Sequence, residues 1–422
     1  MTILRPAILA DFCNSPDFLD PRIAYSRPAG TGFATRFDRH GNMVTVPAGV
    51  PRIDNDLATL DCLGLLMEEA TTNTVWNPRW EGTGGTALTS GNMPTNTFYS
   101  GAMNGITITR IADKVKRGMN GMVLRFAGTA SANTTLNFFL VSPDTAASAG
   151  QSWTMSGYFA LDSGSLPVGA TASIRPSVVG GSAAIGTTDF TSLLVADQTP
   201  VRVSATVATD AGATLVRSLF RIFVTSGSSP VFDLWIGPAQ MEQKAFATSQ
   251  VLPVPGTIGA NSSRSAETLS TTLADWGIVS SSLTDGMLLA SGHLASAISA
   301  ARVLAELSDG TANELIQIGA TAATSLGRGV ITDGGIDQAT LTTASALAAG
   351  SHAIAVPFRA ADFAMSVNGA AALTASAGSV PSIDRLHIGS NRAGSSHWNG
   401  RVRRVALYTR RIANAQAQLL TA

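Results

Sequence analysis

The chain reads as mainly β: an N-terminal region followed by two tandem antiparallel β-sandwiches. Three observations predict this. Short runs with apolar residues at every second position recur along the chain, each bounded by Gly, Ser, Thr, Asn or Pro, the pattern of half-buried strands joined by tight turns. The 41 glycines, with abundant Ala, Thr, Ser and Val, leave little helical periodicity. At 422 residues the chain is too long for one core and suits two or three domains.

In the first 75 residues, residues 24–27 and 34–38 read as isolated strands around glycine turns, and Arg39-His40-Gly41-Asn42 as a hairpin turn returning through Met43 to Val46. Residues 50–73 give two extended segments joined by the polar turn Asp54-Asn55-Asp56 and end in Glu68-Glu69. Adjacent strand residues face opposite ways, so these glutamates cannot serve as a paired acid and base and read as structural.

A first sandwich spans residues 76–250. Its strands are residues 106–111, 153–160, 201–207, 219–224 and 231–236, with Trp153, Met155, Gly157 and Phe159 on one face. Residues 251–265, rich in Pro, Gly, Ser and Asn, read as an inter-domain linker. The second sandwich, residues 266–422, carries a hairpin at Asn368-Gly369 after the alternating Phe363, Met365 and Val367. Leu386 and Ile388 then alternate with Arg385 and His387, Trp398-Asn399-Gly400 turns the chain, and residues 402–408 form the last strand. Asn414 is placed to cap a short helix packing through Ala415 and Leu419.

Several of these stretches carry a family resemblance. Arg27, Ala29, Ala34-Thr35, Phe37-Asp38 and Gly41, followed by Pro51, Arg52, Asp54, Gly64-Leu65-Leu66, Glu68-Glu69 and Thr72-Asn73, resemble a segment of tailed-bacteriophage virion structural proteins. There it ties an N-terminal attachment region to outward-facing modules. Leu234 to Glu242 with its Gln240-x-Glu242 pair, then Phe246-Ala247-Thr248-Ser249, resemble the exit of carbohydrate-binding-like jelly rolls of phage fibres. The Asn-Gly hairpin, Leu386-x-Ile388-Gly389, Asn399-Gly400-x-Val402 and Arg411-Ile412-x-Asn414 resemble the C-terminal half of concanavalin A-like, laminin-G-like sandwiches. Ile53 stands where the phage segment favours an aromatic, and Gln243-Lys244 replace a Gly-rich step.

The resemblance implies a fibre, spike or tail-tip component that docks to a particle through residues 1–75 and displays its sandwiches for host-surface glycan binding. Other virion proteins and further copies of the chain, a trimer foremost, are the implied partners. Alternatives are a glycan depolymerase on the concanavalin-like fold and a purely architectural capsid or tail decoration.

Composition narrows the chemistry. With 13% charged residues and zero formal net charge, no general basic field draws the chain to nucleic acid or to an anionic membrane. Arg5, Pro6 and Asp11 interrupt the apolar core that an export signal requires, so assembly in a host cytoplasm and residence in the virion are expected. The uncharged residues 338–358 are long enough to span a bilayer but are broken by Gly350, Ser351, His352 and Pro357, so no membrane segment is expected there. Cys13 and Cys62 could pair if the N-terminal region folds back on itself, but two thiols make no disulfide framework, and reduced thiols are expected. The five histidines stand in no ligand spacing, so neither a metal nor a cofactor is expected. No nucleophile elbow, phosphate loop or dinucleotide fingerprint occurs, and no enzymatic role is expected.

For a ligand surface, aromatic side chains are the first candidates, because a ring can stack on a sugar or fill a core. Trp153 and Trp235 lie in alternating strands and read as core, whereas Trp398 adjoins the polar loop 390–397. Trp398 with Asn391, Arg392, His397 and Asn399 is therefore the candidate site, pairing a stacking face with planar hydrogen-bonding groups. The basic residues Arg401, Arg403 and Arg404 beside it read as a solvated or subunit-facing edge.

Overall fold

The computed structural model describes residues 5–14, 19–140, 144–182, 184–195, 199–295 and 300–422. Residues 1–4 and 15–18, part of the N-terminal stretch read for an export signal, lie outside them. About 52% of the described residues are strand and 4% helix, and the sheets are antiparallel, as the period-2 patterning predicts. Two compact units form: residues 1–28, 48–70 and 265–422 make one, and residues 29–47 and 71–264 the other.

The first unit is a sandwich of two sheets. One runs Leu373–Ala375, Phe363–Val367, Gly350–Arg359, Asp285–Leu294, Gly400–Tyr408, Cys62–Met67, Ile53–Asn55, with Ile8–Asp11 added to Gly400–Tyr408. The other runs Ala24–Ser26, Thr268–Thr272, Arg385–Ile388, Arg302–Ser308, Leu315–Ala320, Leu326–Asp333, Ile336–Ala346. Their inner faces bury Leu288, Ile354, Phe358, Leu386, Ile388 and Val405 among others, the alternation anticipated for the last strands. Asn368 and Gly369 both take positive φ, 51° and 73°, which a type I′ turn demands.

The opposite face of the first sheet buries Met287, Leu289, Ala355, Ala406 and Tyr408 with Ala417 and Leu420. These last two belong to the helix Asn414–Thr421 or its final turn, which corrects two expectations. The cap position is Ala413, and Asn414 is the first helical residue, its Oδ1 accepting from Arg411 Nη2 at 2.8 Å. Leu419 points to solvent at 75% exposure.

The second unit packs the sheet Val201–Ala208, Ser152–Ser165, Val231–Glu242, Met119–Gly128, Ile106–Lys116 on the sheet Thr188–Asp189, Thr171–Gly180, Ala213–Val224, Thr134–Phe139, Phe98–Ser100. Between them lie Trp153, Met155, Phe159, Phe126, Phe138 and Phe220, with Phe138 and Phe220 stacked at 4.5 Å. The hairpin Gly32–Phe37 to Met43–Val46 forms as read, with Gly41 at φ 71°.

The expected division into attachment region, sandwich, linker and sandwich differs from these units. Residues 1–75 form no body of their own: Ile8–Asp11, Ala24–Ser26, Ile53–Asn55 and Cys62–Met67 join the sheets of the first unit, while Gly32–Phe37, Met43–Val46 and Thr71–Asn73 join the second. The ends of residues 251–265 are strands, Val251–Pro253 on Gly32–Phe37 and Ser262–Arg264 on Thr71–Asn73. Backbone pairing partners supplied from distant sequence outweigh a local composition that favours an extended linker.

Cys13 and Cys62 are disulfide-bonded, with Cα atoms 5.7 Å apart, which corrects the expectation of free thiols. The pairing follows from register. Ile8–Asp11 and Cys62–Met67 both pair with Gly400–Tyr408, Asp11 opposite Arg404 and Leu65 opposite Val402, so Cys13, two residues past one strand, meets Cys62 at the start of the other.

Candidate functional site

The loop expected to bind ligand folds inward. Trp398 is 0% exposed and lies in the core of the first unit with Leu294, Leu304 and Val402. Space for the indole exists because Gly292 and Gly400 flank it: a Cβ on either would stand about 3 Å from the ring. The expectation that Trp398 offers a stacking face is thus corrected, since burying the ring removes more apolar area from water than a turn could leave exposed.

Its companions are engaged in the same way. His397 is buried and its Nε2 lies 2.8 Å from the carbonyl oxygen of Glu267. Asn399, at φ 49°, accepts from the Glu69 amide at 2.9 Å. The Asn391 carboxamide oxygen accepts from the amides of Ala393 and Ser395, closing the loop as an Asx turn. Arg392 donates its amide to Glu306 at 2.8 Å and lays its guanidinium against the same buried carboxylate at 3.3 Å. The polar groups expected to contact hydroxyls hold the loop to the sandwich.

The resemblance-bearing residues are likewise interior. In the first unit, Arg52 donates Nε to Glu267 Oε1 at 2.8 Å and Nη2 to Glu68 Oε2 at 2.7 Å. Arg27 lies 3.5 Å from the same Glu267 carboxylate, and the Glu68 amide donates to Glu267 Oε2 at 2.9 Å. All four side chains are nearly fully buried. Burial alone would weaken the charge on Arg52, but Glu267 and Glu68 outweigh it and hold its pKa above the ordinary value. Gly64, at φ 112°, lets the neighbouring strand approach, since a Cβ there would meet the Val402 carbonyl oxygen at 2.3 Å.

In the second unit, Glu242 accepts from Thr71 Oγ1 at 2.6 Å, Thr248 N at 2.9 Å and Gln240 Nε2 at 2.7 Å. Asn73 donates to the carbonyls of Ala239 and Val251 and accepts from Met241 N. The Thr-Asn, Gln-x-Glu and Thr-Ser pieces therefore form one buried network, in which every carboxylate oxygen of Glu242 finds donors.

Sequence reasoning passed over an open sheet face. On the outward side of the second unit's Phe98–Ser100, Thr134–Phe139, Ala213–Val224 and Thr171–Gly180 strands, register places Phe98, Phe139, Leu219 and Arg175 in one row. The next row holds Ser100, Asn137, Arg221 and Ser173. The rings of Phe98 and Phe139 stack at 4.5 Å and 9°, and both stay half-exposed, as do Asn137, Arg175 and Arg221. Arg221 Nε reaches Asn137 Oδ1 at 3.2 Å, and Arg175 Nε reaches Thr187 Oγ1 at 3.3 Å. Partial burial, and next the positive Arg221, lower the pKa of Arg175; among the described residues neither guanidinium has a carboxylate at ion-pair distance. An aromatic wall beside planar donors and an amide suits a sugar, whose rings have apolar faces and whose hydroxyls need directed hydrogen bonds. The signal was readable in the outward positions of residues 135–139 and 217–223, but only once the pairing partner of each strand was known.

No family model matches the chain, and no curated protein matches it. Among solved structures it is similar to the CBM40 of Ruminococcus gnavus IT-sialidase, at 19% identity over 33% of this chain and 84% of that one, with a TM-score of 0.28. The enzymatically active domain of bacteriophage CBA120 tailspike protein 4 matches at 16% identity over 40% of this chain and 21% of that one, with a TM-score of 0.25. The CBM22-1–CBM22-2 tandem of Paenibacillus barcinonensis Xyn10C matches at 11% identity over 82% of this chain and 98% of that one, with a TM-score of 0.23.

Proposed function

We propose that this protein is a non-enzymatic virion component of the fibre, spike or tail-tip kind, which displays two β-sandwich units and binds host-surface glycans through the outward face of the second unit. The observation that carries glycan binding is the half-exposed row of Phe98 and Phe139 beside Asn137, Arg175 and Arg221. The virion role is supported by the phage-like wording of residues 27–73, whose Arg52, Glu68 and Asn73 fold into buried polar networks. Such networks serve architecture, and a displayed module needs that rigidity. Docking to other virion proteins and assembly into a trimer complete the reading, because weak sugar sites gain avidity when several are presented together.

The test is a glycan array probed with the full chain, followed by titration of the best hit. Phe139→Ala and Arg221→Gln should each weaken binding by about tenfold or more, the loss expected for a stacking ring or a charged hydrogen bond, with an unchanged melting temperature. Binding that survives both substitutions, or no binding to any glycan, would overturn the assignment. Incubation with the bound glycan should release no new reducing ends, and labelling of purified particles should place the chain on their surface.

A further inference from the structure

The first unit holds a polar cleft of about 620 Å³ on the outer face of its eight-stranded sheet, beside the helix-covered patch. That is inside the roughly 300–1,000 Å³ of small-molecule sites. Arg403 and Arg404 line it from the Gly400–Tyr408 strand, His293 and Ser291 from Asp285–Leu294, and Ser351 from Gly350–Arg359. A bulge sets the arginines there: Ser291 pairs with Arg404 and Gly292 with Val402, leaving Arg403 as the extra residue. Bulges re-aim side chains in this manner and recur beside binding sites.

The two arginines differ in their pairing from the arginine that precedes them on the same strand. Arg401, one position before the bulged pair's strand neighbour Val402, ion-pairs with buried Asp54 at 2.6 Å. Among the described residues, neither Arg403 nor Arg404 forms an ion pair. Arg404 Nε and His293 Nδ1 are shielded from solvent and lack hydrogen-bond partners there. Asp11, the acidic side chain lining the cleft, is engaged by its own turn, accepting from the amides of Cys13 and Asn14. Asp11, opposite Arg404 in the register, and the C-terminal Ala422 also line the cleft, but among the described residues neither guanidinium is at ion-pair distance from a carboxylate, and one has a dehydrated donor, an arrangement that a bound anion completes.

We infer that this cleft binds the carboxylate of an acidic saccharide, with the guanidiniums of Arg403 and Arg404 on the carboxylate and the hydroxyls of Ser291 and Ser351 on the neighbouring sugar hydroxyls. A planar carboxylate matches the guanidinium fork, and the neutral hydroxyls beside it suit a sugar over a bare anion. Burial first, and then the nearby Arg401 charge, keep the pKa of His293 below its ordinary value, so the imidazole is available near neutral pH as a neutral hydrogen-bonding group.

The site is in a different unit from the aromatic face, so the two readings fail separately. Isothermal titration of the full chain with a glucuronate-containing tetrasaccharide should give saturable binding. The carboxyl-reduced tetrasaccharide, Arg403→Gln and Arg404→Gln should each weaken it by about tenfold or more, as loss of a charged hydrogen bond predicts. Phe139→Ala should leave it unchanged. Absence of binding, equal affinity for the carboxyl-reduced sugar, or full affinity in both arginine variants with native melting temperatures would overturn the proposal. Loss of binding in Phe139→Ala alone would assign the sugar to the aromatic face and overturn it equally.

Discussion

Arg52 Nη2 lies 2.6 Å from Glu267 Oε1, with both side chains 0% exposed, although the two residues are 215 positions apart. The Leu66 amide donates to the Arg52 carbonyl and the Glu267 amide to that of Glu68, so ionic and backbone bonds tie the same segments. Arg52→Met leaves Glu68 and Glu267 buried beside a lost counter-charge, and should cost about 3–5 kcal/mol. Urea denaturation measures it; a loss under about 1 kcal/mol would mean that the carboxylates find water or protons without Arg52.

Trp398→Ala should behave as a core truncation. The ring is fully buried, and removing it should destabilise by about 3–5 kcal/mol. A variant with native stability and lost sugar binding would return the residue to the ligand surface.

The Cys13–Cys62 disulfide closes a sequence separation of 49, for which the chain-entropy estimate is about 4 kcal/mol. Cys62→Ser should lower the urea midpoint accordingly, and reductant should do the same to the native chain while leaving the variant unaffected. Equal midpoints for the two proteins would show that the strand pairing on Gly400–Tyr408 alone fixes this edge.

Tyr25 carries an alkaline signature. Burial first, and then the negative Glu267, raise its pKa from 10.0 to about 12. The folded state therefore holds the phenolic proton more tightly than the unfolded chain does. The stability this supplies is complete below pH 10 and is lost as pH rises towards about 12. Tyr25→Phe should flatten the fall in stability over that window, and a phenolate absorbance step near the ordinary value in the folded protein would contradict the buried placement.

How much was legible in the sequence can be judged at particular residues. The alternation of Trp153, Met155 and Phe159, and of Leu386 and Ile388, placed them correctly in cores. Asn368-Gly369 announced its hairpin, because local sterics decide a two-residue turn. Glu68 read as structural and is an ion-pair partner of Arg52. Trp398 could not be placed the same way: its neighbours in sequence are polar, and its burial depends on Gly292, 106 positions earlier, which pairs with Val402 and leaves room for the ring. Cys13 likewise meets Cys62 only through a third strand that contains neither.

The sequence by itself determined the mainly β class and, for the strands that alternate most clearly, their positions and apolar faces, since these follow from a period of two and from turn chemistry within a few residues. Only the tertiary structure decided which strands pair, and with that the division of residues 1–75 between two units, the disulfide, the buried ionic network and the two open polar surfaces. Strand pairing is a contact between distant segments that backbone hydrogen bonds permit almost anywhere. The choice among pairings rests on packing and charge compensation summed over the whole fold.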